Sequence, residues 1–416
     1  MLLEFRVKNF RCLRDEQVLS MVASSDKTLQ EKNTTPTGIK GIPYALNSAA
    51  IYGANAGGKT TIIRALATMQ HIVLHSATKP SQNKLQTNLP ITTFLLDTES
   101  SALPTNFEVS FVKQGIRYEY GFSCTPEKIL TEYLDVYKTA QPQRWFERRL
   151  VDDKYVYSFS SHFKGQKKSW QEQTRPDALF LSTAIQLNSE LLIPVFAFFS
   201  KDLFIVSSIM SFKNIFPILS FLHGSQELQK EICEFLRAAD ISIESIEIQK
   251  KERTVHDENI PVEARTHYEV FFTHNTAKGR ATFPLSAESD GTRNLFYLYT
   301  PLFMGLDSGE TFVIDELDSS LHPTVVRKLI LFYHSKRHNP HGAQLIFTTH
   351  DTSLLHGVGK DLLRRDQVWF VEKNEDQASE LYSLAEFNST NDRNPERSYF
   401  QGRYGGLPFI TFNTEE

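Results

Sequence analysis

The nine residues GANAGGKTT at positions 53–61 constrain this chain more than anything else in it. They fit the spacing G-x-x-x-x-G-K-[ST], in which glycines let backbone N–H groups turn inward around a phosphate and a lysine follows at fixed reach. The apolar run SAAIYG enters the loop, and KTTIIRALATMQHIVLHSA leaves it with its apolar residues at helical spacing. Strand, glycine loop, helix is the context a phosphate cradle needs, because the helix N-terminus adds partial positive charge. The spacing assigns Gly53, Ala54, Asn55, Ala56, Gly57, Gly58, Lys59, Thr60 and Thr61 to nucleotide binding. Lys59 reaches the β- and γ-phosphates in this reading, and the Thr60 hydroxyl ligates Mg²⁺.

A cradle of this type works with an acidic residue at the end of a neighbouring buried strand. TFVIDE supplies one, and it places Asp315 256 residues beyond Lys59. Asp315 then supports Mg²⁺, directly or through water, and Glu316 polarises a water for in-line attack on a γ-phosphate. Such a gap requires the chain to leave the central sheet, build other structure and return.

The intervening pattern says what is built. LLEFRVKNF alternates like a strand and CLRDEQVLSMVA can pair with it; NFEVSFVKQ, IRYEYGFSC and LTEYLDVYK read as strands of an antiparallel sheet. Residues 175–240 read as mainly helical, with SQELQKEICEFLRAA amphipathic, and GTRNLFYLYTPLFMGL reads as a mostly buried helix. SIESIEIQK and HYEVFFTH have strand character. GETFVIDE, AQLIFTTH and DQVWFVEKN are short apolar strands separated by helical stretches, the α/β pattern of a parallel sheet. His322-Pro323 reads as a helix start, and Arg144, Arg148 and Arg149 in QRWFERR as a solvated surface. No sustained heptad pattern appears.

The ordered set of GxNxxGKT, an S-x-G element opening a helix, hhhhDE, an aspartate loop and a strand ending in histidine resembles an ABC-type ATPase head. It is most similar to the RecF/SMC/OLD branch. VKNFRCL is similar to that branch's first strand and turn, IDELDSSLHP to OLD-like ATPases, and ERSYFQGRYGGLPFI to the ending of stand-alone RloA-like ATPases of abortive-infection and restriction-linked loci.

The resemblance implies an α/β P-loop NTPase with a mixed sheet, a β subdomain and an inserted helical lobe. It implies an N-terminal ATPase lobe over 1–160, a mainly helical insert over 161–282 and a C-terminal lobe over 283–416. It also implies ATP and Mg²⁺ as ligands, Asp315 as the metal-supporting acid and Glu316 as hydrolytic base. His350 becomes the switch histidine that senses the γ-phosphate, and Asp318 the aspartate-loop acid at a dimer seam. Ser289 and Gly291 contact the γ-phosphate bound by another subunit, and Arg11 approaches the nucleotide. ESDGT replaces the common glycine pair followed by glutamine at the signature. Gln86 is the candidate for the metal-sensing glutamine.

Two functions from different classes follow from this resemblance. One is an ATP-hydrolysing subunit that forms a homodimer or higher homo-oligomer through its ATP sites and controls a separate effector, a nuclease of Toprim-like or other type, in bacterial antiphage defence. The other is a DNA-maintenance ATPase that binds DNA directly. Long coiled-coil arms are missing from the pattern, and 45 basic against 49 acidic residues give a net charge of −4, no global footprint of a nucleic-acid binder. The basic stretch HFKGQKKSW is the local exception and reads as a solvated loop. Glu372 in VWFVEKNED has the look of a first nuclease acid, but no D-x-D follows it, so this segment reads as a final sheet strand. Three dispersed cysteines without metal spacing, no apolar run of membrane-spanning length and no signal-peptide core predict a cytoplasmic protein.

Overall fold

A computed structural model describes residues 1–78, 88–206, 216–238, 242–252, 266–319, 321–387 and 394–407. At its centre lies a six-stranded sheet in the order Leu203–Val206, Thr311–Ile314, Gln344–Thr348, Ser48–Gly53, Val368–Lys373, Ser379–Ser383. The first five strands are parallel to their neighbours and the last is antiparallel. Ser48–Gly53, Thr311–Ile314 and Gln344–Thr348 are buried at every position, as strands covered on both faces must be. The two acid- and loop-bearing strands are thus separated by one strand only, despite their distance in sequence. DQVWFVEKN proves to be the penultimate strand of the sheet; SELYS, read as no element from the sequence, turns back and pairs with it.

Alternation along these strands divides the interior in two. Ala49 and Ile51, Val313, Ile346, Trp369 and Val371 face a core shared with Ile62, Ile63, Leu66 and Met69 of the helix Lys59–His75. Ala50 and Tyr52, Phe312, Ile314, Leu345, Phe347, Val368 and Phe370 face a second core shared with the helices Asp290–Ser308 and Pro323–His334. In the first of these two helices, Gly305 lets the ring of Phe312 approach the backbone, and Gly309 ends it in the left-handed conformation at φ 71°.

The first core is closed by a seven-stranded sheet. Leu2–Lys8 pairs with Gln17–Ser20 on one side and with Thr105–Lys113 on the other, and the meander continues through Ile116–Cys124, Ile129–Tyr137, Gln143–Val151 and Lys154–Phe159. All its pairings are antiparallel, as the alternating sequence predicts.

Here the reading of QRWFERR as solvated surface is corrected for Arg148, whereas Arg144 and Arg149 are exposed as read. Arg148 shares the inward face with Phe146 and is fully buried. Its guanidinium donates to the carbonyls of Ala178 (2.7 Å) and Arg175 (3.0 Å) and lies 3.8 Å from Glu132. The Glu132 carboxylate accepts the backbone N–H groups of Phe180 and Leu181 and the Tyr120 hydroxyl. Arg144 makes a bidentate pair with Asp135 at 2.6 and 2.7 Å. Burial of charge was invisible in the sequence because the partners, 132, 175 and 178, lie on other elements.

Between the lobes of the sheet, residues 216–284 hold the helices Phe216–His223 and Gln226–Ala238 and a three-stranded antiparallel sheet, Ser245–Glu252, Thr266–Thr276 and Gly279–Pro284. Val270 and Phe272 point from it into the second core, and the strands read in SIESIEIQK and HYEVFFTH are found there. A hairpin, Thr34–Ile39 with Ile42–Leu46, was also not anticipated.

Candidate functional site

The loop after Ser48–Gly53 is shaped by close backbone approach. A Cβ on Gly53 would collide with the Val371 carbonyl, and one on Gly58 (φ 120°) would stand 2.5 Å from Ser379 Oγ, which itself donates to the Gly57 carbonyl at 2.7 Å. Ala56 takes a left-handed conformation at φ 61°. The helix that follows has no side-chain cap at Gly58, which leaves its first backbone N–H groups for an anion. Lys59 is buried, and its ammonium donates to the carbonyls of Gly53 (2.6 Å) and Ala54 (3.1 Å). Burial lowers its pKa, against the opposing fields of Glu316, Asp315 and Asp318. Cys12 Sγ donates to Thr61 Oγ1 at 3.2 Å, so the turn after the first strand rests on the start of this helix.

Across from the loop, Thr348 organises the acids. Its hydroxyl donates to Asp315 Oδ1 at 2.7 Å and accepts the Glu316 N–H at 2.6 Å. Asp315 N–H is anchored to the Val206 carbonyl at 2.9 Å. Glu316 has φ 53°, a left-handed value uncommon outside glycine and a mark of a constrained position, and its side chain is exposed. With Asn55, Asp318, Ser319 and His350 it lines a recess of about 340 Å³. The His350 N–H donates to Asp318 Oδ2 at 3.1 Å. Asp318 Oδ1 is buried and, among the described residues, has no hydrogen-bond partner.

The fold thus brings the loop residue Asn55 together with Glu316, Asp318 and His350, and sets Lys59 within the field of all three acids. Ser289 and Gly291 do not line this recess. Ser289 caps the helix Asp290–Ser308, accepting the Thr292 N–H at 3.1 Å, and both residues are exposed. Arg11 (φ 53°) is exposed beside Phe10, its guanidinium 5.7 Å from the ring centroid, one residue before the Cys12 contact to Thr61. Gln86 lies outside the described residues. His322 caps its helix through Thr324 N–H. Thr348 was missed in the sequence; its signal was a hydroxyl at the end of the strand preceding His350.

The donor set fits ATP and Mg²⁺. Thr60 and Asp315 offer hard oxygens, and the start of the helix Lys59–His75 offers backbone N–H groups to a phosphate. Among the described residues no three His, Cys, Asp or Glu side chains form a cage; magnesium held by one carboxylate, one hydroxyl and substrate phosphates needs none.

A family model described as an AAA domain, putative AbiEii toxin, type IV toxin–antitoxin system, matches residues 48–356. No curated protein matches the chain in sequence. Among solved structures, the chain is similar to the SMC head domain from Thermotoga maritima, with a TM-score of 0.40 and 13% identity over 92% of this chain and 98% of that one. It is also similar to the Smc head domain with an extended coiled coil, bound to the C-terminal domain of ScpA, from Pyrococcus furiosus, with a TM-score of 0.41 and 11% identity over 92% and 96% of the two chains.

Proposed function

This chain belongs to that AAA-domain family, and from this premise we propose that it is a Mg²⁺-dependent ATPase that dimerises on ATP and controls a separate effector, a nuclease, in bacterial antiphage defence. The observation that carries the ATPase reading is the Thr348 hydroxyl, which fixes Asp315 and the Glu316 backbone together, opposite the phosphate loop. In the proposed reaction a water oxygen attacks the γ-phosphorus and the bond to the β,γ-bridging oxygen breaks. Glu316 takes the water's proton, and ADP leaves with the electron pair. Lys59 exchanges its two carbonyl partners for phosphate oxygens, and His350 faces the γ-phosphate. Bound Mg²⁺ would neutralise charge on the phosphates, held by Thr60 and Asp315.

Dimerisation is supported by Ser289 and Gly291, which stand exposed on a helix start outside the recess, free to face a second chain's nucleotide. The effector role rests on the resemblance of the C-terminal residues to RloA-like ATPases; the matching family is itself described as a putative toxin of a type IV toxin–antitoxin system. The test of the reaction is Glu316→Gln, which keeps size but removes the proton acceptor. It should bind ATP as wild type does and lose about 10²-fold or more in turnover. Wild-type turnover in that variant removes Glu316 from the role.

A further inference from the structure

We propose that the turn Tyr404–Gly406 is a positioning clamp for the phosphate loop, held in place by Glu372, and that it sets nucleotide affinity. The proposal rests on the ATP-binding reading above.

Glu372 sits on the strand Val368–Lys373, one residue after the Val371 carbonyl that confines Gly53. Its Oε2 accepts the Gly406 N–H at 2.9 Å. Gly406 (φ 68°) lies against the first glycine of the phosphate loop: a Cβ built on it would stand 3.6 Å from Gly53 Cα and 3.7 Å from the Val371 carbonyl. Gly53 is therefore held between strand and turn. Gly405 (φ 66°) must lack a side chain because a Cβ would fall on the Glu372 carboxylate.

Two tyrosines fix the turn from outside. Tyr399 donates to the Gly406 carbonyl at 3.1 Å and Tyr382 to the Tyr404 carbonyl at 2.8 Å. The rings of Tyr399 and Tyr404 stack on Phe370, with centroids 5.5 and 5.6 Å away. Tyr52, which immediately precedes Gly53, packs on Phe370 and Tyr399 and donates to the Asp351 carbonyl at 3.1 Å, next to His350. One aromatic cluster therefore joins the loop's entry strand, the His350 segment and the turn. A carboxylate that looked like a nuclease acid in the sequence is instead engaged in holding a backbone turn.

Phosphate binding needs Gly53 and Ala54 fixed, because the Lys59 ammonium rests on their carbonyls and must leave them for the ligand. A binding constellation must be held to within about 0.5 Å, so a displaced loop loses contacts to the phosphates.

The test uses the full chain. Glu372→Ala, Glu372→Gln and the control Glu380→Ala, on the adjacent strand, are compared with wild type for binding of a fluorescent ATP analogue with Mg²⁺, for KM and kcat of hydrolysis, and for Tm. Glu372→Ala should bind about tenfold more weakly with KM raised in step, kcat at saturation staying within about twofold. Glu372→Gln, whose amide oxygen still accepts the Gly406 N–H, should recover most of the affinity, and Glu380→Ala should match wild type. Wild-type affinity in Glu372→Ala, or loss of kcat in proportion to lost folded protein, overturns the clamp. If Glu372→Ala does not fold, Tyr399→Phe removes only the hydroxyl bond to Gly406, and unchanged affinity there overturns it equally. A wild-type chain that binds no ATP overturns the nucleotide reading and the clamp together; binding by wild type with no change in the variants overturns the clamp alone.

Discussion

Thr348 Oγ1 donates to Asp315 Oδ1 at 2.7 Å, a bond between the ends of two adjacent parallel strands. The same oxygen accepts the Glu316 N–H, so one hydroxyl orients the Asp315 carboxylate and pins the Glu316 backbone. Thr348→Val keeps the shape and removes the hydroxyl. It should lower kcat by about tenfold or more and cost about 1 kcal/mol of stability, since a part-buried N–H loses its acceptor. Thr348→Ser should restore turnover. Steady-state hydrolysis and thermal melts of the three proteins check this, and a Thr348→Val chain with wild-type kcat refutes it.

Lys59→Ala should fail at nucleotide binding, because the cradle loses its fixed cation beside the phosphates. Lys59 bonds only the loop carbonyls of Gly53 and Ala54, so the variant loses contacts within the loop and keeps those of the strands and helices around it. Equilibrium binding of ATP to the variant is the measurement, and affinity equal to wild type contradicts the phosphate-loop assignment.

Ser289→Arg should leave ATP binding to one chain intact and block closure of two. Mixed with Lys59→Ala it should partly recover hydrolysis, because one chain supplies an intact cradle and the other an intact signature face, as a two-fold pair requires. Activity of Ser289→Arg alone, proportional to protein concentration at dilutions where only single chains exist, is incompatible with a shared site.

Arg148→Met should destabilise without touching the recess, by about 3–5 kcal/mol, the cost of leaving a buried partner charge alone. The Glu132 carboxyl is already raised by burial, with Arg148 pulling it down. Removing Arg148 leaves burial dominant, with only the N–H groups of Phe180 and Leu181 and the Tyr120 hydroxyl opposing it. The folded state then holds the Glu132 proton more tightly than the unfolded chain, so stability falls as pH rises above the ordinary carboxylate range. The Tm of the variant should drop more between pH 5.5 and 8 than that of wild type; equal drops exclude a role for Arg148 in opposing the burial that raises Glu132.

The phosphate loop, its strand and its helix were legible because each is local: a glycine spacing, a buried run and a 3.6-residue period occupy one continuous stretch, Ser48 to His75. The acid strand and the histidine strand were legible for the same reason, as apolar runs ending in Asp315 and His350. What the sequence could not specify were relations between stretches far apart in the chain. Thr348 became part of the site only because parallel pairing set its strand beside Asp315. Arg148 changed from a surface residue to a buried one because Glu132 and two carbonyls on other elements meet it there. Glu372 found its partner 34 residues on, in a turn that packs against the first glycine of the phosphate loop. Local propensity and periodicity are written residue by residue, whereas register, burial and long-range hydrogen bonds exist only once the chain has closed on itself. The sequence by itself therefore determined the residues proposed to hold a nucleotide, and the tertiary structure decided which others hold those residues in place.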